Sequence, residues 1–195
     1  MAEVKVLIKG YVRGGEFELA TSTTTLIKDG NIKIIVDPGM NKKLLLKSLE
    51  KENLSPKDID YVILTHTHLD HCLLAGIFEN AKIVDSGSVY SFDSKIKNHD
   101  GKVPETDIEI INTPGHDEFH CSVVVQDDKL GKVVIASDVF WWDDNEEQKT
   151  DKKSLLKHVD PYVKDKNALK KSREQLLNIA DYIIPGHGEM FKVEK

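Results

Sequence analysis

The sequence predicts a single mixed α/β domain that spans residues 1–195. Three β-type segments separated by glycine-containing turns open the chain, and β-type segments then alternate with helical ones. A length of 195 residues suits one domain with one substantial hydrophobic core. No internal repeat, low-complexity linker or shift in composition marks a second domain.

Apolar patterns and turn residues define the predicted strands. The first three are rich in Val, Ile and Thr and are separated by turns at Gly14-Gly15 and Asp29-Gly30. The later ones are short apolar runs, most of which are followed by polar residues, Gly or Pro. The predicted strands cover residues 4–12, 23–28, 32–36, 61–64, 81–84, 108–111, 123–125, 133–136 and 182–184.

Two helices are predicted from a capping residue and from apolar stripes. Asn41 is a suitable N-cap for a helix over residues 42–52. Its apolar side carries Leu45, Leu46 and Leu49. Ser55-Pro56 predicts a helix start or a turn before the next strand. The second helix covers residues 167–180, and its apolar stripe contains Leu169, Leu176, Leu177 and Ala180.

Composition and charge narrow the classes of partner. Lys and Arg total 27 against 33 Asp and Glu, so the formal net charge is −6. This balance disfavours nucleic acid as a partner, although it leaves a local basic face open. No apolar run approaches the about 18 residues of a membrane span, and the two cysteines occur without a signal peptide. We therefore expect a cytoplasmic protein, without a membrane partner, that acts on a small molecule.

A dense group of metal-binding residue types follows the strand at residues 61–64. It reads His66-Thr67-His68-Leu69-Asp70-His71. His66 and His68 are two residues apart on a nearly extended chain, so their imidazoles can point the same way. Asp70 and His71 begin the turn into the next element. This spacing predicts one metal on the first pair and a second metal on the other pair.

Further candidate ligands lie just past other predicted strands. His116 follows Thr113-Pro114-Gly115, Asp138 follows the strand at 133–136, and His187 follows Pro185-Gly186. A lone histidine after Pro-Gly is usually an ordinary turn residue. Four ligand-bearing strand ends in one short chain support one another, because loops held by a rigid sheet carry chemistry.

Taken in order, these residues resemble the signature of the metallo-β-lactamase superfamily, from about Thr23 to His187. The resemblance implies a four-layer αββα sandwich, whereas periodicity alone predicts only a mixed α/β domain. It also extends to the small single-domain group of that superfamily. The shared features there are Ser137-Asp138-Val139-Phe140 with its acidic, tryptophan-bearing loop, and the helix that runs into residues 180–188.

The resemblance also implies roles for the matching residues. The first metal would be held by His66, His68 and His116, the second by Asp70, His71 and His187, with Asp138 as a bridge. Asp37 resembles the acidic residue that braces the metal loop. Asp138 stands where the zinc-dependent β-lactamases often carry Cys, which argues against antibiotic hydrolysis.

The expected cofactors are two divalent metal ions. Zinc fits this imidazole and carboxylate set best, and iron or manganese are alternatives. A hydroxide held between two such metals is a nucleophile near pH 7. We expect Asp70 to orient that water or accept its proton. His120 is expected either to donate a proton to the leaving group or to support a ligand through a hydrogen bond.

Three functions remain open on this evidence. The leading one is a metal-dependent hydrolase of a small ester, thioester or lactone. The first alternative is a phosphodiesterase or endoribonuclease, because the same water attacks phosphorus. The second is an iron-dependent, non-hydrolytic protein such as a sulfur dioxygenase or a redox protein. Such a protein would require a one-metal site, whereas this chain offers seven candidate ligands.

Some residues carry two interpretations. Trp141 and Trp142 are equally consistent with the mouth of a pocket and with the core. Cys72 and Cys121 are expected to be packing residues, and His99 and His158 surface residues.

Overall fold

The computed structural model describes residues 2–194. The strands are β1 Ala2–Ile8, β2 Tyr11–Arg13, β3 Leu19–Thr21, β4 Thr24–Asp29, β5 Ile32–Val36, β6 Tyr61–Ile63, β7 Lys82–Val84, β8 Ser88–Tyr90, β9 Ile96–Asn98, β10 Glu109–Asn112, β11 Cys121–Asp127, β12 Gly131–Trp141, β13 Tyr182–His187 and β14 Phe191–Lys192. The helices are α1 Lys42–Lys51, α2 Leu69–Cys72, α3 Lys152–Lys157 and α4 Lys166–Ile179.

The strands form two main layers that meet along one edge. The first has the order β1-β4-β5-β6-β7-β8-β9, and the second has the order β10-β11-β12-β13-β14. A single pair, Ala2 with Asp127, joins β1 to β11. Strands β2 and β3 form a separate hairpin.

Alternation along the strands produces the four layers. In β5, Ile34 faces the space between the sheets, whereas Ile35 faces α1. In β12, Ile135 faces the same inter-sheet core, whereas Val134 packs against α4. The central strands of each sheet are therefore buried on both faces, and the predicted αββα sandwich is confirmed.

The parallel strand pairs direct the candidate ligands to one edge. Strand β5 is parallel to β6, and β12 is parallel to β13. Parallel strands deliver their carboxyl ends to the same side of a sheet. The residues that follow β5 and β6 therefore meet those at the ends of β12 and β13.

The predicted helices are confirmed with small shifts. The Leu44 amide donates to Asn41 Oδ1 at 3.1 Å, so Asn41 is the N-cap of α1. Pro56–Asp58 forms one short 3₁₀ turn that Ser55 and Asp58 cap reciprocally. The second predicted helix is α4, displaced by one residue at each end.

The single strand predicted over residues 4–12 is wrong. The chain breaks at Gly10, and β2 leaves the main sheet to pair with β3. The Gly10 amide donates to Thr23 Oγ1 at 3.0 Å, and the Gly188 amide donates to the Gly10 carbonyl at 3.2 Å. Contacts with distant segments therefore outweigh the local β pattern.

Several short elements were not predicted. They are β3, β8, β9, β14, the four-residue α2 and the six-residue α3. All three residues of β9 are exposed, so this strand lacks the alternation that would mark it.

Within residues 2–194 no helix is both long enough and apolar enough to cross a bilayer. Cys72 and Cys121 are both free thiols.

We predict that Gly10→Ala destabilises the domain. A Cβ at this position would lie 2.2 Å from the Gly186 carbonyl oxygen and 2.4 Å from the Thr23 amide nitrogen. Both neighbours are backbone, so the free energy of unfolding should fall by about 2 kcal/mol or more. Gly14→Ala is the control, because nothing lies within 4 Å of its added Cβ. Urea unfolding with equal midpoints for the two variants would contradict the prediction.

Candidate metal centre

Seven side chains from separate segments of the chain meet at one edge of the sandwich. His66 and His68 follow β6, Asp70 and His71 lie in α2, and Asp138 and His187 lie in β12 and β13. His116 comes from the loop between β10 and β11. They form two groups, and the donor atoms of each group lie within 4.8 Å of one another.

The first group contains three imidazoles and one carboxylate oxygen. His68 Nδ1 lies 3.0 Å from His66 Nε2 and 3.2 Å from His116 Nε2. Asp138 Oδ2 lies 3.3 Å from His116 Nε2 and 3.7 Å from His66 Nε2. The four atoms surround a common centre.

The second group lies on the other side of Asp138. Asp70 Oδ2 is 3.3 Å from His187 Nε2 and 3.7 Å from His71 Nε2. Asp138 Oδ1 is 3.3 Å from His71 Nε2 and 3.8 Å from His187 Nε2. The two oxygens of Asp138 therefore face different groups, which is the arrangement of a bridging carboxylate.

The residues present fit a pair of divalent cations. Tetrahedral zinc with bonds of about 2.0–2.1 Å separates its ligand atoms by about 3.3 Å. The separations given above scatter closely around that value. His71 Nε2 and Asp138 Oδ1 are buried without a hydrogen-bond partner, which is costly for polar atoms unless a cation binds between them.

A buried carboxylate, Asp37, orients the loop that carries the ligands. Its Oδ1 accepts from the Thr65 amide at 2.9 Å, and its Oδ2 is 2.7 Å from the Thr65 hydroxyl. The same Oδ2 is 2.9 Å from both His71 Nδ1 and the Ser137 hydroxyl. Because Nδ1 of His71 faces Asp37, its Nε2 is left for a metal.

Asp160 orients His116 in the same way, and this residue was not predicted from the sequence. Its Oδ2 lies 2.8 Å from His116 Nδ1, and both side chains are buried. A metal-binding histidine commonly donates its second ring N–H to a carboxylate. That rule predicts that such a partner exists, but nothing in the sequence around Asp160 identifies it.

Burial and mutual charges shift the pKa values of the donors. Burial, reinforced by the charge of His71, holds the pKa of His66 well below its ordinary value. Burial also acts to lower the pKa of His71, but the carboxylates of Asp138 and Asp37 outweigh it and hold that pKa well above normal. Burial acts to raise the pKa of Asp138, yet His71 holds it well below normal. These directions keep Asp138 ionised, and His71 would have to be deprotonated at Nε2 to bind a cation there.

His120 lies behind His66, with ring centroids 5.0 Å apart. Its Nδ1 is 3.0 Å from Thr113 Oγ1, which is 2.8 Å from Ser122 Oγ. Burial lowers the pKa of His120 to about 4, so the ring is neutral near pH 7. The ring is buried and does not line the cavity above the metal groups. This placement disfavours proton donation to a leaving group, and the hydrogen bond of the ring joins it to Thr113 rather than to a candidate metal ligand.

Gly186 allows β13 to approach Asp138 closely. A Cβ at Gly186 would lie 1.7 Å from Asp138 Oδ1. Strand β12 also continues past the predicted end at residue 136, with Ser137 at a φ of 48°. Asp138 therefore lies inside a distorted strand rather than after it, which corrects the sequence prediction.

The two tryptophans have different environments. Trp141 lines a cavity of about 410 Å³ that opens over the metal groups. Trp142 packs in the core, with its ring centroid 5.2 Å from that of His158 and 6.0 Å from that of Phe191. The His158 side chain is only 9% exposed, so its prediction as a surface residue is wrong.

The other histidine and the two cysteines considered in the sequence analysis lie outside the two donor groups. His99 is partly buried, because its ring nitrogens face the Asp85 carbonyl and the Gly101 amide. Cys121 packs in the inter-sheet core, and Cys72 is partly buried with its thiol 3.4 Å from the Thr67 carbonyl. Neither thiol belongs to a candidate metal group.

We predict that Asp160→Asn weakens the first metal group selectively. The change removes the charge that favours His116 with Nδ1 protonated, so affinity at this group should fall by about 10- to 100-fold. The second group should be unaffected, because Asp37 and not Asp160 holds His71. Glu118→Gln, at an exposed position near His116, is the matched control. Competition with a chromophoric chelator measures both affinities, and two unchanged values would contradict the role of Asp160.

Comparison with known proteins gives a consistent family. The model described as the metallo-beta-lactamase superfamily matches residues 19–119. Metallo-beta-lactamase domain-containing protein 1 of Xenopus laevis is 34% identical over 98% of this chain and 82% of that protein. This match confirms the resemblance to the small single-domain group.

Solved structures agree on the fold. A metallo-beta-lactamase-like protein of Thermotoga maritima has a TM-score of 0.74 at 20% identity and covers 98% of this chain and 99% of that chain. The dizinc quorum-quenching lactonase AidC, solved with a product, has a TM-score of 0.64 at 19% identity, over 88% of this chain and 73% of that chain. On its sequence, its fold and its His/Asp cluster able to hold metal, the chain belongs to the metallo-beta-lactamase superfamily.

Proposed function

We propose that this protein is a dinuclear metal-dependent hydrolase of a small ester, thioester or lactone. The observation that carries the proposal is the cavity into which the donor groups open. Its volume of about 410 Å³ lies in the range of small-molecule sites, which is about 300–1,000 Å³. Within residues 2–194 no lysine or arginine lines it, so it offers no cation to a phosphate.

The residues of the chain have separable tasks in this reaction. A pair of divalent cations, when bound, supplies a water that is acidic near pH 7 and a Lewis acid for the carbonyl oxygen. Asp70 lines the cavity with its side chain 23% exposed, so it can orient the water and accept its proton. The water oxygen forms a bond to the acyl carbon as the C–S or C–O bond breaks. The thiol or alcohol leaves with one proton, and the other is released as the carboxylate ionises.

Zinc is the proposed metal. The donors are imidazole nitrogens and carboxylate oxygens, and no thiolate joins the two groups found in residues 2–194. Such a set is typical of catalytic zinc sites and also accepts iron or manganese. The dizinc site in the lactonase AidC supports the zinc proposal, because that protein shares this fold.

One observation favours the phosphodiesterase alternative. Helices α3 and α4 and their connection carry several lysines; among the described residues of this segment, an ion pair with a carboxylate is formed by Lys170, with Glu174, and by none of the other lysines. These are Lys152, Lys153, Lys157, Lys164, Lys166 and Lys171. They form a basic segment beside the loop of Asp160, although the cavity itself contains none of them.

Substrate class and salt dependence distinguish the two functions. We expect elemental analysis of protein purified without chelator to find about two metal ions per chain.

That protein should hydrolyse acyl thioesters or lactones, and its substrate affinity should change little between about 50 and 200 mM salt. A nuclease that neutralises several phosphates should lose affinity steeply over the same range. Cleavage of single-stranded RNA with a steep salt slope, and no carbonyl hydrolysis, would overturn the proposal.

Asp70→Asn tests the proton acceptor. Asn preserves the size of the side chain but removes its charge, so turnover at saturating metal should fall at least about 100-fold. Asp128→Asn makes the same chemical change at an exposed position away from the cavity and should not alter turnover. Near wild-type turnover of Asp70→Asn with two bound metals would show that Asp70 has no catalytic role.

A further inference from the structure

The cavity over the metal groups has two apolar walls. Val12 and Ala20 are cross-strand partners in the β2–β3 hairpin, and both line the cavity. Trp141 and Tyr162 form a second wall, with ring centroids 5.8 Å apart. A substrate group between these walls would be removed from water by carbon on both sides.

The mouth of the cavity is also apolar, although it is exposed. Met40, Leu69 and Tyr162 all line the cavity, yet they are 42%, 65% and 55% exposed. Large apolar side chains that remain in water around a concave site mark it as a binding surface. Covering them with a hydrocarbon chain would remove apolar surface from water on both partners.

Beyond the candidate metal donors, one charged side chain lines this cavity among the described residues. Glu18 precedes β3 and lies two residues before Ala20, so the alternation of the strand places both on the cavity side. The nearby Arg13 does not neutralise it, because the Arg13 guanidinium pairs with Asp144. Among the described residues none forms an ion pair with Glu18, so the cavity lining carries an unpaired negative charge.

We propose that the cavity binds the acyl part of its substrate as an apolar, uncharged chain, and that Glu18 is a specificity-determining residue that rejects chains ending in an anion. This inference rests on the proposed hydrolase function and names its substrate class. The chain would lie between the hairpin and the two aromatic rings, with the scissile carbonyl at the donor groups. The volume allows a chain of moderate length, on the order of a dozen non-hydrogen atoms for the whole substrate.

The test uses thioesters of N-acetylcysteamine that differ only in the acyl chain. For the metal-loaded wild-type protein, kcat/KM should rise roughly tenfold for each two methylenes from acetyl to hexanoyl. At equal chain length, the hexanoyl thioester should be preferred about tenfold over the adipoyl thioester, whose chain ends in a carboxylate. Low ionic strength is needed, because Glu18 is exposed and its field is screened by salt.

Variants then assign the charge preference to one residue. Glu18→Lys should raise the adipoyl-to-hexanoyl ratio of kcat/KM at least about tenfold, because it replaces repulsion with attraction. Glu16→Lys makes the same charge change in the same hairpin, at an exposed residue that does not line the cavity. That control should change the ratio by less than about threefold.

A binding measurement separates the failure of this inference from the failure of the proposed function. The probes are 2-octanone and 7-oxooctanoate, which differ only in the carboxylate at the chain end, and binding is read by tryptophan fluorescence. Preference for 2-octanone that Glu18→Lys reverses supports the inference, even if no thioester is hydrolysed and the proposed function falls. Thioester turnover that depends on neither chain length nor residue 18, with equal binding of the two probes, overturns the inference and leaves the hydrolase proposal standing.

Discussion

The buried carboxylate of Asp37 is the constraint on which the rest of the site depends. It accepts hydrogen bonds from the metal loop through Thr65, from α2 through His71, and from β12 through Ser137. Asp37 and Ser137 both have a φ of 48°, a left-handed conformation that is unfavourable for most residues. This strained geometry persists because several hydrogen bonds from separate segments converge on one carboxylate. Replacing Asp37 would disturb both metal groups without removing a ligand.

The two halves of the sandwich contribute unequal parts of the centre. The first sheet supplies four candidate donors from the loop and helix after β6. The second supplies Asp138 and His187 from adjacent parallel strands and His116 from the loop between β10 and β11. The halves are connected at the site by backbone, since the Thr23 amide donates to the Gly186 carbonyl at 2.6 Å. Gly10 lacks a Cβ that would lie 2.2 Å from the Gly186 carbonyl oxygen and 2.4 Å from the Thr23 amide nitrogen, the two atoms of this contact. Gly186 lacks a Cβ that would lie 1.7 Å from Asp138 Oδ1. Correct docking of the sheets and assembly of the two metal groups are therefore the same structural event.

The sequence alone predicted what depends on local chemistry. The candidate ligands could be predicted because residues 66–71 contain many residue types that bind metals. The Asn41 cap could be predicted because capping depends on neighbouring residues only. Three features could not be predicted: the break at Gly10, the burial of His158 and the contact of Asp160 with His116. Each depends on residues distant in the chain, namely Gly186, Trp142 and His116. Short-range patterns carry no information about which remote side chain completes such a contact.

A buried positive charge, that of Arg173, lies beside the strand that presents Asp138 and does not line the cavity. Arg173 of α4 is buried, and it donates through Nε to the Val139 carbonyl at 3.0 Å and through Nη1 to the His158 carbonyl at 2.6 Å. Burial lowers the pKa of Arg173 to about 10, so it remains charged near pH 7. The guanidinium thus joins the strand that presents Asp138 to the loop that presents Asp160. Its charge is therefore used within the scaffold, and the described residues that line the cavity include neither lysine nor arginine.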